Sequence, residues 1–172
     1  MRFRATCYRA HDPRWSYTPL SGAGAALTGG RFNPVDVEAL YLTLSPMGAI
    51  REISQSFPFK LEPCVLCSYE VDCEDIADLR TEAGRDEHGF SYQAMSSPWF
   101  GDVSKRREPA SWPHVRRLLD LGLAGILVPS FARLATASDH NLVLWKWSRR
   151  PPHKVAVFDP SGRLPKNQLS WD

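Results

Sequence analysis

The chain has 172 residues, 43% of them hydrophobic, which is enough for one domain with a single core and too little for two full domains. Its 14 prolines, roughly 8% of the residues against a usual ~5%, indicate a loop-rich, irregular domain rather than a helical bundle. The formal net charge of +2 is far from the clustered basic excess typical of DNA-binding domains, so it neither requires nor excludes a nucleic-acid partner.

The N-terminal part of the chain predicts two strands, a flexible segment and one helix. Phe3 to Arg9 has the pattern of a first strand, and Ser21 to Gly30 is expected to be flexible because glycine and alanine dominate it. Ala39 to Leu44 predicts a second, short strand. Ser45-Pro46 is typical of a helix start, with serine as N-cap and proline in the first turn, and this helix is expected to run to about Ser56.

The first helix carries an isolated carboxylate. Four apolar residues at three- and four-residue spacing predict its buried stripe, namely Met47, Ile50, Ile53 and Phe57. Glu52 lies about 200° around the helix from Ile50 at 100° per residue, so it is expected to point away from that stripe. It therefore faces either solvent or a cleft.

The rest of the chain predicts one more helix and four more strands. Cys64 to Val71 reads as a strand, Arg80 to Trp99 as a polar loop, and Ser111 to Leu121 as a helix that ends at Gly122. Three strand candidates follow, at Gly125 to Pro129, Asn141 to Trp147 and Lys154 to Asp159. Few helices and many short strands out of βαβ rhythm predict an α+β fold with mixed or antiparallel sheets, in a single domain of residues 1–172.

The four cysteines, Cys7, Cys64, Cys67 and Cys73, accompany no recognisable signal peptide and no apolar run near ~18 residues. We therefore expect a cytoplasmic protein without disulfides or a membrane segment. Cys64 and Cys67 have the spacing of metal ligands, with Cys73 and His88 as further candidates, and a zinc-dependent hydrolase is one alternative function. Residues three apart in a strand point to opposite faces, which favours buried structural cysteines and no metal.

Three other motifs have ordinary structural explanations. Gly22 to Leu27 departs from the dinucleotide fingerprint at its third position, and a mobile loop leading to Arg31 is favoured. Ser130 lacks the elbow motif that would expose it as a nucleophile with Asp139 and His140. There are three basic clusters, at Lys105 to Arg107, Arg116-Arg117 and Arg149-Arg150. They would suit the other alternative function, a non-enzymatic nucleic-acid-binding module. Such clusters are more often solvated surface charge.

The most informative stretch is Gly29-Gly30-Arg31-Phe32-Asn33-Pro34, followed by Tyr41 on a strand and Glu52 on the next helix. A guanidinium, an aromatic ring and a carboxylate could together hold a ligand with phosphates and a cationic ring, such as NAD⁺. Taken alone, the same residues favour an ordinary core tyrosine and a solvated glutamate.

Family resemblance changes that balance. Seven blocks between about residues 2 and 160 resemble, in order, those of the RES-domain toxins: Cys7-Tyr8-Arg9, Pro19-Leu20-Ser21-Gly22-x-Gly24, Gly29 to Pro34, Ala39-Leu40-Tyr41-Leu42, Ala49-Ile50-Arg51-Glu52, Leu127-Val128-Pro129-Ser130 and Asn141 to Trp145. The arginine, glutamate and serine of the family's name fall on Arg31, Glu52 and Ser130.

The resemblance implies a compact fold similar to diphtheria-toxin-type ADP-ribosyltransferases, with NAD⁺ as substrate. It implies that Arg31, Tyr41, Glu52 and Ser130 are catalytic, and that Tyr8 and Asn141 line the NAD⁺ cleft together with Arg31, Tyr41 and Ser130. The expected partner is a helix-turn-helix antitoxin, through which any nucleic-acid contact would be indirect.

The acceptor of ADP-ribose stays open between a target protein, phosphate and water. Ile50 stands two residues before Glu52, where many arginine-modifying transferases carry a second glutamate, and this disfavours arginine as the acceptor.

Overall fold

The computed structural model describes residues 1–54 and 61–169. Within them, seven strands form one mixed sheet: β1 Phe3–His11, β2 Leu40–Thr43, β3 Val65–Cys73, β4 Ile76–Asp78, β5 Gly125–Pro129, β6 His140–Leu144 and β7 His153–Val157. The strand order is β4-β5-β6-β2-β1-β3-β7, with β4 and β5 parallel and the other neighbours antiparallel. The predicted α+β class is confirmed.

The helices of the described residues are short: α1 Ala23–Thr28, α2 Pro46–Ile53, α3 Glu82–Glu87, α4 Tyr92–Ser96, α5 Trp99–Ser104 and α6 Trp112–Asp120, with a 3₁₀ turn at Pro13–Trp15. The longest of them has nine residues. Among the residues described, no helix has the length and apolar character needed to cross a membrane.

The sheet buries apolar side chains on both of its faces, because successive residues of a strand alternate between faces. On the first face, Ile126, Val128 and Val143 pack with side chains of α4 and α6 such as Met95 and Leu118. On the second face, residues such as Cys7, Tyr69 and Leu144 pack beneath Leu20, Trp147 and Leu164. Two separate cores therefore share one sheet.

Two segments expected to be irregular contain helices. The predicted flexible segment at 21–30 forms α1, and the predicted loop at 80–99 holds α3, α4 and the start of α5. Thr81 and Ser91 are the missed signals, since each is an N-cap whose hydroxyl accepts a bond from the backbone N–H three residues later. The strand β4 was also missed, because its three residues are too few to show a period.

The predicted start of α2 is confirmed, since the Ser45 hydroxyl accepts a hydrogen bond from the Gly48 N–H. Its predicted end and Phe57 lie outside the described residues. The predicted buried stripe is wrong, because Met47 is 58% and Ile53 39% exposed while Gly48 and Ala49 are buried.

Close packing against the sheet explains why α2 buries its small residues and exposes its large apolar ones. A Cβ on Gly48 would lie 3.2 Å from Cβ of Thr43 on β2, so only small residues fit between this helix and the sheet. Glu52 is three and four residues after Ala49 and Gly48, and it therefore lies on the inward side of the helix.

Candidate functional site

A cleft of about 360 Å³ opens on the first face of the sheet, within the usual range for small-molecule pockets. Five of the six predicted site residues line it, namely Tyr8, Arg31, Tyr41, Glu52 and Asn141. The sixth, Ser130, reaches it through a hydrogen bond to Glu52. The structure therefore brings together all the residues that were chosen from the sequence.

Strand pairing places three of these side chains on the same face. Thr43 of β2 is directly opposite Tyr8 of β1 on one side and Asn141 of β6 on the other. Directly paired residues project to the same face, and Tyr41 shares that face because it lies two residues from Thr43. The floor of the cleft is thus made from three adjacent central strands.

Two donors among the described residues orient the carboxylate of Glu52. The Ser130 hydroxyl donates to Oε1 over 2.7 Å, and the Asn141 Nδ2 group donates to the same oxygen over 2.6 Å. Ser130 also accepts a 3.2 Å bond from the N–H of Ala132, which directs the hydroxyl proton towards Glu52. The carboxylate is therefore held in one orientation by groups on β6 and on the loop after β5.

Arg31 lies at the tip of a tight turn in which the Gly30 N–H donates to the Asn33 carbonyl over 2.9 Å. Its Nη1 donates to the carbonyls of Met95 and Ser97 over 2.8 and 2.6 Å. Its Cζ lies 4.8 Å from the ring centre of Phe131. Burial lowers the pKa of Arg31, opposed by the nearby Glu52 carboxylate and by Tyr41.

The described residues engage one side of the Arg31 guanidinium. The two carbonyls use both hydrogens of Nη1. Within residues 1–54 and 61–169, no hydrogen bond of Nε or Nη2 is found. Because those two groups form a parallel fork, they can bind two oxygens of one anion.

We call the turn from Gly30 to Asn33 the arginine turn. Three of its successive backbone carbonyls each accept a hydrogen bond from a side chain distant in sequence. The indole N–H groups of Trp112 and Trp145 donate to the carbonyls of Gly30 and Phe32, each over 2.8 Å. The Ser111 hydroxyl donates to the carbonyl of Arg31. The turn is therefore held rigidly against the core on the first face of the sheet.

Tyr41 acts on the same turn through its hydroxyl. It donates to Oδ1 of Asn33 over 2.7 Å and accepts from the N–H of Phe32 over 3.0 Å. Burial raises the pKa of Tyr41 above its usual range, so the phenol stays neutral. The hydroxyl thus braces the turn, while the residue lines the cleft.

Sequence reasoning missed three contributors to the site. Trp99 of α5 and Phe131 line the cleft beside Arg31. Asn33 is fully buried, and its Nδ2 donates to the carbonyls of Ala25, Pro34 and Val37. Only Asn33 had a signal in the sequence, as part of the glycine-arginine motif.

The serine-hydrolase interpretation finds no support in the geometry. The Ser130 hydroxyl donates to Glu52, and the carboxylate of Asp139 accepts from Arg51 and Thr136 rather than from His140. The three candidate residues therefore form no proton relay of the kind that such an enzyme needs.

The cysteines are free thiols. Among the candidate zinc ligands, Cys67 and Cys73 are buried, and burial raises the pKa of Cys73 to about 12 and that of Cys67 above its usual range. In the part of the chain that the structure describes, no group of three or more histidine, cysteine, aspartate or glutamate side chains is arranged to hold a metal ion.

Two of the three basic clusters each contribute one surface ion pair. Arg107 pairs with Asp102 and Arg116 with Glu108, and both arginine side chains are about half exposed or more. Such pairs are typical of solvated surfaces and do not indicate a nucleic-acid site.

Comparison with known proteins agrees with the fold. A chain in the crystal structure of the M. tuberculosis MbcT–MbcA toxin–antitoxin complex is similar, with a TM-score of 0.64 and 23% identity over 92% of this chain and 84% of that one. No curated protein matches significantly. The family model of the RES domain matches residues 6–167, which is nearly the whole chain. The protein therefore belongs to the RES domain family.

Proposed function

We propose that this protein binds NAD⁺, breaks its nicotinamide–ribose bond and transfers ADP-ribose to an acceptor. The observation that carries the proposal is the inward placement of Glu52, which Ser130 and Asn141 orient in a cleft shared with Arg31 and Tyr41. The cationic ring of NAD⁺ calls for an aromatic surface, its reactive ribose for a carboxylate and its pyrophosphate for a guanidinium.

The binding roles follow from the groups that the protein leaves available. The Nε–Nη2 edge of Arg31 would hold two oxygens of the pyrophosphate. The ring of Tyr41 would stack on the positively charged nicotinamide, a contact that contributes roughly 0.5–2 kcal/mol. Tyr8 and Asn141 would border the nicotinamide ribose from β1 and β6.

The chemical step needs one carboxylate. The bond between C1′ of the ribose and the ring nitrogen breaks with both electrons on nitrogen, so nicotinamide leaves neutral and needs no proton. Positive charge develops on the ribose as in glycoside cleavage, and Glu52 would stabilise it while accepting a hydrogen bond from the 2′-hydroxyl. The acceptor then attacks C1′ through an oxygen of water or phosphate, or through a side chain of a target protein, and loses its proton.

We further propose that the protein acts as the toxin of a toxin–antitoxin pair whose antitoxin carries a helix-turn-helix domain. Membership of the RES domain family supports this role, and so does the fold shared with a chain of a toxin–antitoxin complex. Any contact with DNA would then be made by the antitoxin.

Replacement of Glu52 by glutamine tests the proposal. Glutamine keeps the size of the side chain and an acceptor for Ser130, so the variant should fold. We expect nicotinamide release from NAD⁺ to fall by ~10²–10³, the usual loss when an electrostatic partner of the transition state is removed. Growth arrest on expression in bacteria should disappear with it.

The exposed Glu87 provides the matched control, because Glu87→Gln makes the same chemical change at a side chain that is 75% exposed. Wild-type nicotinamide release by Glu52→Gln would remove Glu52 from the mechanism. Mass analysis of the products with water alone, with phosphate and with cell lysate identifies the acceptor in the same experiment.

A further inference from the structure

Asp139 joins the two ends of the loop between β5 and β6, and its side chain also joins that loop to α2. It is the last residue of the loop between β5 and β6, and its backbone carbonyl accepts the N–H of Ser130 at the other end of that loop over 2.8 Å. Its Oδ2 accepts from the N–H and hydroxyl of Thr136 over 2.7 and 2.9 Å. Asp139 thus closes the loop that carries Ser130.

The same carboxylate oxygen binds the helix that carries Glu52. Nη1 of Arg51 donates to Oδ2 of Asp139 over 2.7 Å. The pair is well shielded from water, since the Asp139 side chain is 6% exposed and that of Arg51 28%. Arg51 directly precedes Glu52 in α2, so on the helix the ion pair lies one residue from the bond between Glu52 and Ser130.

Two neighbouring contacts therefore span the gap between α2 and the β5–β6 end of the sheet. One is the Arg51–Asp139 ion pair, and the other is the pair of bonds from Ser130 and Asn141 to Glu52. We infer that the Arg51–Asp139 ion pair is a positioning device, which sets the distance of α2 from the sheet and so places the Glu52 carboxylate for bond cleavage. This inference rests on the proposed NAD⁺ chemistry.

The packing of α2 explains why it needs such a device. The helix faces the sheet with Gly48 and Ala49, two small residues with little surface to bury, while Met47 and Ile53 are exposed. Hydrophobic burial therefore anchors it weakly. A partly buried charge pair with good geometry adds a directional constraint that apolar packing here does not supply.

If loss of the Arg51–Asp139 ion pair displaces the Glu52 carboxylate, kcat should fall and KM should change little. Arg31 and Tyr41 are held by the turn and its anchors, none of which involves Arg51. A displacement of about 1 Å in a catalytic group can cost ~10²-fold in rate. We expect Arg51→Met, which keeps the apolar stem and removes the charge, to lower kcat for nicotinamide release ten- to a hundredfold with KM within about threefold of wild type.

Conservative replacement and a matched pair elsewhere provide the controls. Arg51→Lys keeps a cation within reach of Asp139 and should recover most of the lost kcat. Arg2→Met removes an ion pair of the same type, to Asp72, which is exposed on the sheet and away from the cleft, and should leave kcat unchanged. If Arg51→Met does not fold, Asp139→Asn removes the charge from the other partner and is measured in its place.

A double variant separates positioning from a general structural role. If Arg51 acts through Glu52, then Arg51→Met should cost little further activity in a Glu52→Gln background, since residues that act as one unit are not additive. An equal further loss in that background would overturn the inference, and so would wild-type kcat in Arg51→Met or a change confined to KM. Wild-type release by Glu52→Gln alone would instead defeat the proposed function.

Discussion

One side of the Arg31 guanidinium has a structural task. Nη1 holds the carbonyls of Met95 and Ser97, and the Ser97 carbonyl also accepts the N–H of Trp99 over 2.8 Å. Arg31 therefore fixes the segment that leads into α5, from which Trp99 lines the cleft. The opposite edge of the same group is the part that we assign to the phosphates.

We do not expect lysine at position 31 to bind NAD⁺ as well as Arg31 does. A single ammonium group can keep one of the carbonyl contacts or face the ligand, but it cannot present a parallel fork to two phosphate oxygens. We expect Arg31→Lys to weaken NAD⁺ binding about ten- to a hundredfold, the equivalent of roughly 1.4–2.8 kcal/mol. Titration calorimetry in a Glu52→Gln background measures the affinity without turnover.

Arg149→Lys, at an exposed position, is the control for the change of residue type and should bind as the parent does. An unchanged affinity in Arg31→Lys would exclude the guanidinium from phosphate binding. It would leave Arg31 with its structural contacts alone.

At the scale of elements, the arginine turn is a small rigid unit. Its backbone is fixed by side chains from the N-cap and first residue of α6, from β2 and from the residue after β6, and none of these contacts is local in sequence. Gly29 has φ of +70°, a conformation that L side chains rarely adopt. Gly29 is thus required by its backbone conformation and by its close approach to Trp112, and Gly30 by its close approach to Asn33 and Tyr41.

Alanine at position 30 should disrupt this unit. Its Cβ would lie 2.5 Å from Oδ1 of Asn33 and 2.7 Å from the Tyr41 hydroxyl, which are the two atoms of the bond that braces the turn. We expect Gly30→Ala to lower the free energy of unfolding by about 1–3 kcal/mol, as overpacking does, and to reduce NAD⁺ affinity because Arg31 moves. Urea unfolding and calorimetry measure the two effects.

Gly24→Ala is the matched control, because a Cβ there meets nothing within 4 Å and the residue is inside α1. Alanine should be neutral or stabilise the helix by up to about 1 kcal/mol. Equal behaviour of the two variants would show that the turn tolerates a side chain at Gly30.

Local signals predicted the elements that depend on local chemistry. The Ser45-Pro46 start of α2 and the bounds of β5 came directly from capping and apolar patterning. The inward face of α2 did not, because apolar periodicity assumes that large residues face the core, whereas Gly48 faces Thr43 at close range. That approach depends on the pairing of distant strands, which no local pattern contains.

At the scale of the whole molecule, the site depends on one sheet that is buried on both faces. The residues themselves were identified through family resemblance, but their convergence is a product of strand order. β2 lies between β1 and β6, and this order brings Tyr8, Tyr41 and Asn141 together although they are far apart in the sequence. Such pairing follows from the global fold and cannot be read from spacing.

The second face of the sheet carries a buried polar pair that should make stability depend on pH. Nε2 of His11 bonds the Tyr69 hydroxyl, which itself donates to the Pro19 carbonyl over 3.0 Å, so the ring nitrogen must be the donor. Burial, helped by the charge of Arg9, lowers the pKa of His11 from 6.5 to about 4. The fold thus favours the neutral ring.

The sign of the effect follows from that shift. Below pH 6.5 the unfolded chain binds a proton that the folded protein refuses, so the contribution of His11 is complete above pH 6.5 and is lost as pH falls towards 4. The expected loss between pH 7.5 and 5 is roughly 2 kcal/mol of unfolding free energy. Urea unfolding at pH 7.5, 6 and 5 measures it.

His11→Gln isolates this contribution, because glutamine does not titrate and its amide can still donate to Tyr69. Burial also lowers the pKa of His140, which remains in both proteins, so the difference between them reports His11 alone. We expect the variant to lose less stability than wild type over this pH range. Parallel pH profiles would mean that His11 is protonated as readily in the folded protein as in the unfolded chain, and the second core would then tolerate the charge.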